Sequence, residues 1–154
     1  MARAKVRPAQ LAPGFVLDNS IVMAWSFADE ISAYADAVLD RLTAIRAIVP
    51  VLWPLEVANA LLMGERRKRS TEAETIRWIG ILNRLPIAID DETNTRAWSD
   101  TLSLARGHKL SAYDAAYLEL AIRRRLPLAT LDEPLKLAAT AIGVALYDPS
   151  GKWP

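Results

Sequence analysis

The chain has 154 residues and a formal net charge of +1, and 52% of its residues are hydrophobic. This length suits a single domain with one core, and the charge is far below that of a strongly basic nucleic-acid binder. The absence of cysteine and the single histidine exclude disulfides, zinc–thiolate sites and zinc sites with two imidazoles from one chain. No apolar run approaches the roughly 18 residues of a transmembrane helix. We expect a soluble cytoplasmic protein whose chemistry depends mainly on carboxylates and hydroxyls.

Short apolar runs alternate with helical patterns along most of the chain. Residues 1–13 are expected to be a flexible extension, residues 14–149 the folded domain and residues 150–154 a tail. Uniformly apolar runs, typical of parallel strands buried on both faces, lie at 14–17, 47–49, 87–89, 127–130 and 144–146. Helical periodicity predicts helices over 20–27, 32–46, 52–69, 71–85, 92–106, 111–125 and 133–141. This order predicts an α/β fold, a three-layer α/β/α sandwich with a short, mainly parallel five-stranded sheet.

Three aspartates lie at places where a strand ends or a helix begins. Asp18 follows the first predicted strand, Asp132 follows the fourth, and Asp114 lies in the first turn of the helix that Ser111 opens. Ligands of open α/β sheets bind at the carboxyl ends of the strands, so Asp18 and Asp132 should lie at one edge. Each aspartate alone also fits an ordinary helix start, because Asp is a favoured residue there.

Glu56 differs from the aspartates because it lies inside a predicted helix among apolar residues, where a lone carboxylate is costly. It could pair with an arginine. If it converges with the three aspartates, however, only a bound cation or raised pKa values would make the cluster tolerable. Carboxylate oxygens suit Mg²⁺ or Mn²⁺. Asn59, three residues after Glu56, and Thr130, two before Asp132, are candidates for orienting these carboxylates.

Four segments together resemble the PIN-domain family, and within it the VapC-type toxins of type II toxin–antitoxin systems. The segments are FVLDNSIVMAWSFADE, VPVLWPLEVANALL, LSAYDAAYLELAIRRRLPLATLDEPLKLAA and GVALYDP, and the resemblance covers about residues 14–149. It implies that Asp18, Glu56, Asp114 and Asp132 are the catalytic and metal-binding residues. Ser20 and Thr130 match positions that are polar in many relatives, so they are auxiliary candidates.

The resemblance also implies an activity and partners. The expected activity is that of a Mg²⁺- or Mn²⁺-dependent endoribonuclease, the toxin of a toxin–antitoxin pair. A metal-activated water would attack the RNA phosphodiester and leave a 5′-phosphate and a 3′-hydroxyl. The expected partners are an RNA substrate such as tRNA or rRNA, a VapB-like antitoxin protein bound in apolar grooves near the early helices, and a second copy in a homodimer. No membrane association is expected.

Other classes of protein fit part of the pattern. A non-catalytic PIN-fold module that binds RNA or protein would keep the fold, although the presence of all four acids argues against it. A phosphoaspartate receiver-like protein would use Asp18 as phosphoacceptor, but paired acids on the first strand and a late lysine are not evident. A haloacid-dehalogenase-like phosphatase would need D-x-D-x-T, and the third position of that motif is Ser20 here.

Basic runs and apolar stripes have structural interpretations. The runs at 66–69 and 123–125 end predicted helices, where positive charge is favourable; phosphate contact with RNA is the alternative. Gly107 is predicted just past the end of its helix. Packing in the core or at an interface is expected for Trp25, Trp53, Trp78 and Trp98, and core packing for the stripe Ile76, Ile79, Leu82 and Leu85.

Overall fold

The computed structural model describes residues 13–151 of the chain. The predicted extension lies outside these residues except for Pro13, which begins the first strand. Of the predicted tail, only residues 150 and 151 are described. None of the helices in this part of the chain is long and apolar enough to span a membrane.

A four-stranded parallel sheet forms the centre of the fold. Its strands are β1 (Pro13–Leu17), β2 (Arg46–Pro50), β3 (Ile87–Asp90) and β4 (Leu128–Ala129), in the spatial order β3-β2-β1-β4. The helices are α1 (Asn19–Ser26), α2 (Ala33–Arg41), α3 (Trp53–Arg66), α4 (Glu72–Leu82), α5 (Thr93–Arg96), α6 (Leu102–His108), α7 (Ala112–Arg124) and α8 (Glu133–Ala141). A π-helical turn, Ala97–Thr101, joins α5 to α6. The predicted α/β fold with a parallel sheet flanked by helices is confirmed.

The sheet places the ends of β1 and β4 side by side. β1 lies between β2 and β4, and its residues Phe15, Val16 and Leu17 have no exposed surface. Burying each such side chain contributes roughly 1.5–3 kcal/mol, which explains why the strand is uniformly apolar. All strand pairs are parallel, so the residues that follow β1 and β4 emerge at the same edge of the sheet.

The fifth predicted strand, over residues 144–146, does not form, and this prediction was wrong. A single parallel bridge, Leu128 to Leu146, is the only described pairing of segment 144–146 with the sheet. The physical reason is the length of β4, which has two residues and offers little backbone for another strand to pair with. The sheet therefore has four strands and one isolated bridge.

Four predicted helix ends are also wrong, and those predicted at 69 and 85 lie three residues beyond the observed ends of α3 at Arg66 and α4 at Leu82. The helix predicted over 32–46 stops at Arg41, and Arg46 begins β2 by pairing with Pro13. The apolar periodicity continues through Ile45, but that side chain packs beside β1, where a Cβ on Gly14 would lie 2.9 Å from it. The helical stretch predicted to stop at 106 continues to His108 and ends on a left-handed Lys109, with φ 55°, so Gly107 lies within it.

The apolar residues divide between core and surface. Trp25 and Trp53 are buried and Trp78 packs against the core, whereas Trp98, in the π-helical turn, is 94% exposed. In the predicted stripe, Leu82 and Leu85 pack in or against the core, but Ile76 and Ile79 are exposed. The core prediction was therefore wrong for the solvent side of α4, which faces away from the sheet.

Candidate active site

Asp18 is a buried carboxylate at the end of β1. The parallel pairing of β1 with β4 fixes its position, because the backbone N–H of Asp18 donates to the carbonyl of Ala129 at 3.0 Å. Its side chain is 4% exposed, and Oδ2 accepts hydrogen bonds from Ser20 Oγ at 2.6 Å and Thr130 Oγ1 at 2.7 Å. It also accepts from the Ser20 N–H at 3.4 Å as the N-cap of α1. Asp18 is thus a helix cap, but a buried one held by two hydroxyls.

Ser20 and Thr130 join the ends of β1 and β4 through these hydroxyls. Ser20 Oγ accepts from the N–H of Leu131 at 2.9 Å, and Thr130 Oγ1 accepts from the N–H of Asp132 at 3.0 Å. The backbone donors orient both hydroxyls so that their protons point at Asp18. This small network fixes the rotamer of Asp18 from both sides.

Asp132 and Asp114 both lie at helix N-termini. Asp132 caps α8, its Oδ2 accepting from the N–H of Leu135 at 3.0 Å. Asp114 lies in the first turn of α7, where Ser111 Oγ accepts from its N–H at 3.1 Å. The capping roles predicted for this pair of helices are therefore present. Both carboxylates remain partly exposed at the carboxyl edge of the sheet.

Glu56 is held by Tyr117, a residue that sequence reasoning missed. Tyr117 is fully buried in α7, and its hydroxyl donates to Glu56 Oε1 at 2.8 Å. A signal was available, because Tyr117 lies three residues after Asp114 on the same helix face and a buried tyrosine hydroxyl needs a partner. Helix α7 therefore contacts Glu56 through Tyr117 and supplies Asp114 to the carboxyl edge of the sheet.

The four acids form one electrostatic cluster. Burial raises the pKa of Asp18, and burial followed by the negative charges of Asp18 and Asp132 raises the pKa of Asp114. Burial also raises the pKa of Glu56 to about 6, with a smaller contribution from the charges of Asp18 and Asp114 and against the opposing hydrogen bond of Tyr117. None of the ion pairs found within residues 13–151 includes any of the four acids. Their mutual repulsion is therefore not offset by a lysine or arginine of those residues.

The donor set fits a hard cation in its chemistry. All four groups are carboxylates, and the raised pKa values of Asp18, Glu56 and Asp114 without a basic partner are typical of sites whose charge a divalent ion balances. Within the described part of the chain, however, no three Asp, Glu, His or Cys side chains are gathered closely enough to hold an ion as they stand. Asp18 and Glu56 instead direct one oxygen each to hydroxyl donors. The structure therefore brings the four acids to one edge without gathering their oxygens around one point.

Asn59 makes no hydrogen bond to the carboxylates it was expected to orient. It is exposed, and no hydrogen bond found among residues 13–151 joins it to Glu56 or Asp18. It lines a groove of about 610 Å³ between α3 and α7, together with Asn19, Leu52, Leu55, Glu56, Ala60 and Tyr113. We call this the α3–α7 groove.

The basic run at 123–125 is largely explained by structure. Arg123 donates to Asp90 and Glu119 at 2.8–3.0 Å and its side chain is 13% exposed, so its guanidinium is engaged by acids of the fold. In the other run, Arg69 pairs with Asp29 and Glu30 and its guanidinium lies 4.2 Å from the Phe27 ring centroid. The ion pairs of Arg123 and Arg69 favour the structural interpretation of these two residues over RNA contact.

The fold and the site define a class of protein: an α/β protein with an acidic site at the carboxyl edge of a parallel sheet. The family model described as PIN domain matches residues 15–141, and the chain belongs to the PIN domain family. A search of curated proteins finds no match.

Two solved structures share the fold. PAE2754 from Pyrobaculum aerophilum has a TM-score of 0.61 and 23% sequence identity, over 82% of this chain and 79% of that chain. FitAcB from Neisseria gonorrhoeae has a TM-score of 0.52 and 19% identity, over 90% of this chain and 99% of that chain. At these identities the similarity establishes the fold.

Proposed function

We propose that this protein is a Mg²⁺- or Mn²⁺-dependent endoribonuclease that acts as the toxin of a VapC-type toxin–antitoxin pair. The observation that supports it best is the cluster of Asp18, Glu56, Asp114 and Asp132, whose charge no basic residue of the described chain offsets. Membership of the PIN domain family adds to this, because that family is associated with metal-dependent nucleases. The catalytic unit would be residues 14–149, acting in the cytoplasm.

Each acid has a part in this proposal. Asp18, Glu56 and Asp114 would hold the main ion, and Asp132 would complete the site. When bound, the ion would supply Lewis acidity and an activated water. Ser20 and Thr130 keep Asp18 in one rotamer, and Tyr117 binds Glu56 Oε1, which leaves Oε2 outside that hydrogen bond.

The reaction would be hydrolysis of an RNA phosphodiester. A water oxygen forms the new bond to phosphorus, and the bond from phosphorus to the 3′ oxygen breaks. The leaving 3′ oxygen gains a proton, so the products are a 5′-phosphate and a 3′-hydroxyl. The expected substrates are tRNA or rRNA.

Exposed apolar surface near the early helices supports the proposed protein partners. A small apolar groove of about 190 Å³ between α3 and α4 is lined by residues that include Trp53, Val57, Leu61 and Ile79. Ile76, on the same helix as Ile79, is also exposed. Such surfaces suit a protein partner, here a VapB-like antitoxin and a second copy in a homodimer.

Metal-dependent cleavage tests the function. Antitoxin-free protein is incubated with a total tRNA and rRNA pool, with Mg²⁺ or Mn²⁺ and with EDTA. We expect discrete products that require metal and that fall by on the order of 10²-fold or more in Asp114→Asn, a loss typical of removing a group that stabilises transition-state charge. Asp36→Asn, which changes an exposed aspartate of α2, is the matched control and should cleave normally.

A non-catalytic PIN-fold module that binds RNA or protein is the second candidate. The observation in its favour is that the carboxylate oxygens are not gathered around one point in residues 13–151. Folded protein that binds RNA but leaves it uncut with either metal would support this candidate. A phosphoaspartate receiver is disfavoured, because the chain belongs to the PIN domain family.

A further inference from the structure

We propose that the α3–α7 groove binds an unpaired nucleobase of the RNA, stacked on Tyr113, next to the phosphate that is cut. This inference rests on the proposed function and adds a specificity-determining residue to it.

Two large apolar side chains are exposed beside the acids. Tyr113 is 66% exposed and Leu55 is 77% exposed, and both line the α3–α7 groove. They come from different helices, Leu55 from the first turn of α3 and Tyr113 from the first turn of α7. The fold therefore leaves apolar area of both side chains exposed to water.

Their positions in the sequence connect them to the acid cluster. Leu55 directly precedes Glu56, and Tyr113 directly precedes Asp114. Glu56 itself lines the groove, so the groove and the acid cluster share a wall. A ligand whose charged group sits at the acids would therefore place its adjacent part between Leu55 and Tyr113.

The polar groups of the groove suit the edge of a base. Asn59 is exposed in the groove and offers both a donor and an acceptor. Asn19 Oδ1 is buried and makes no hydrogen bond among the described residues, which costs free energy unless a donor reaches it. Amides read base edges, and aromatic rings stack on base faces.

A nucleobase matches this combination better than other parts of RNA. The phosphate backbone is negatively charged and no lysine or arginine of residues 13–151 lines the groove, whereas a base is uncharged and aromatic. The groove, at about 610 Å³, is within the roughly 300–1,000 Å³ typical of small-ligand sites. Bases in an A-form duplex are paired and stacked, and they can reach such a groove only when the strand is unpaired.

Binding to uncleaved RNA tests the proposal independently of catalysis. The Asp114→Asn protein is titrated with Mn²⁺ present into four unstructured 12-nucleotide RNAs that differ in their central base. Each RNA is also tested annealed to its complement, and binding is followed by fluorescence anisotropy. We expect tighter binding to at least one single strand than to any duplex. Adding Tyr113→Ala should weaken that binding by roughly fivefold to a hundredfold, the range for loss of one base–aromatic stack.

Matched variants separate stacking from other effects. Tyr113→Phe keeps the ring and should bind within about twofold, whereas Tyr113→Leu keeps apolar area without a ring and should behave as Tyr113→Ala. Trp98→Ala removes an even more exposed aromatic from the π-helical turn and should bind as the Asp114→Asn parent does. A 2-aminopurine at the preferred position should be quenched by the parent and by Tyr113→Phe only.

The outcomes distinguish this inference from the nuclease function. The base site would be overturned if Tyr113→Ala and its parent bind RNA equally. It would also be overturned if duplexes bind as tightly as single strands, or if no RNA binds at all. A result in which a protein segment covers Tyr113 while RNA binding stays unchanged would also overturn the base site. Stacking on Tyr113 without metal-dependent cleavage by the unmodified chain would instead overturn the nuclease function alone.

Discussion

Two clusters of acids in this molecule have opposite electrostatics. In the first, Asp90 at the end of β3 and Glu119 on α7 surround Arg123, which donates to both carboxylates of Asp90 and Glu119 at 2.8–3.0 Å. Burial opposes ionisation of Asp90, but the hydrogen bonds from Arg123 outweigh it and lower the pKa of that carboxyl. In the second cluster, burial raises the pKa values of Asp18, Glu56 and Asp114, and the charges of neighbouring acids add to the rise for Glu56 and Asp114.

The difference lies in the source of the compensating cation. Helix α7 takes part in both clusters, with Asp114 in its first turn and Glu119 and Arg123 near its end. At the far end the chain supplies its own cation, and the cluster joins α7 to the sheet. At the near end residues 13–151 supply none, so the acids depend on protonation or on an ion from solution. A complete cluster is structural, and an incomplete one is a candidate functional site.

The largest effect should come from removing the internal cation. Arg123→Met leaves Asp90 and Glu119, which are 5% and 3% exposed, without their partner. Breaking a buried pair in this way typically costs 3–5 kcal/mol, and we expect about 3 kcal/mol of unfolding free energy because Arg123 is not fully buried. Urea unfolding at pH 7.5 measures it. Arg124→Met is the matched control, since that exposed guanidinium lies 3.9 Å from Asp90 and should contribute less than about 1 kcal/mol. Similar losses in both variants would contradict a structural role specific to Arg123.

The next effect should come from supplying the missing cation. Mn²⁺ at about 100 times its dissociation constant stabilises a protein that binds it only when folded by about 2.7 kcal/mol. We expect urea unfolding to show a gain of that order in the unfolding free energy of the unmodified chain and little gain in Asp114→Asn. Asp36→Asn should respond as the unmodified chain does. The interpretation of the acids as an ion site fails if Asp114→Asn is stabilised to the same extent.

The pH dependence of stability should differ between the clusters. Glu56 has its pKa raised from 4.5 to about 6, so the stability it contributes is fully present below pH 4.5 and is lost as pH rises through about 6. Asp90 has a lowered pKa, so its contribution is present above pH 3.8 and is lost on acidification below that value. In metal-free buffer, the unfolding free energy of the unmodified chain should fall between pH 4.5 and 7. Glu56→Gln should remove about 1 kcal/mol of that fall, after allowance for partial exposure. Urea midpoints across this range measure it, and an unchanged slope in Glu56→Gln would contradict it.

Much of the fold could be predicted because its signals are local. The uniformly apolar strands and the caps Ser111 and Asp132 act within a few residues, and α8 was predicted with the bounds it has, Glu133–Ala141. The end of α2 could not be predicted, because the helical pattern continues to Ile45 and only packing beside β1 stops it at Arg41. Periodicity likewise could not reveal that Ile76 and Ile79 on the outer side of α4 are left exposed by the described part of the chain.

The candidate site divides in the same way. The convergence of Asp18 with Thr130 follows from parallel topology, which brings the ends of β1 and β4 together. The pairing of Arg123 with Asp90 joins residues 33 positions apart on elements that meet only in the folded protein, so the sequence indicated only favourable charge at a helix end or RNA contact. Tyr113 and Tyr117 lie one helical turn apart, yet one is exposed and one fully buried, because only the second lies over the core. The catalytic roles of the four acids stay a prediction.

The smallest effect should come from Tyr117→Phe, which changes the acid cluster without removing an acid. The variant loses the hydrogen bond to Glu56 Oε1 and keeps the buried ring. We expect a loss of about 0.5–1 kcal/mol at neutral pH, since water can replace the phenol at a partly exposed carboxylate. Because that hydrogen bond holds the pKa of Glu56 down, the pH at which metal-free stability declines should move above about 6. Tyr34→Phe is the matched control: its hydroxyl donates to the Tyr147 carbonyl at 2.8 Å, so its loss should cost a similar amount without moving the pH window. If Tyr117→Phe left the window where the unmodified chain has it, Tyr117 would only fill space, and the raised pKa of Glu56 would depend on burial and the neighbouring acids alone.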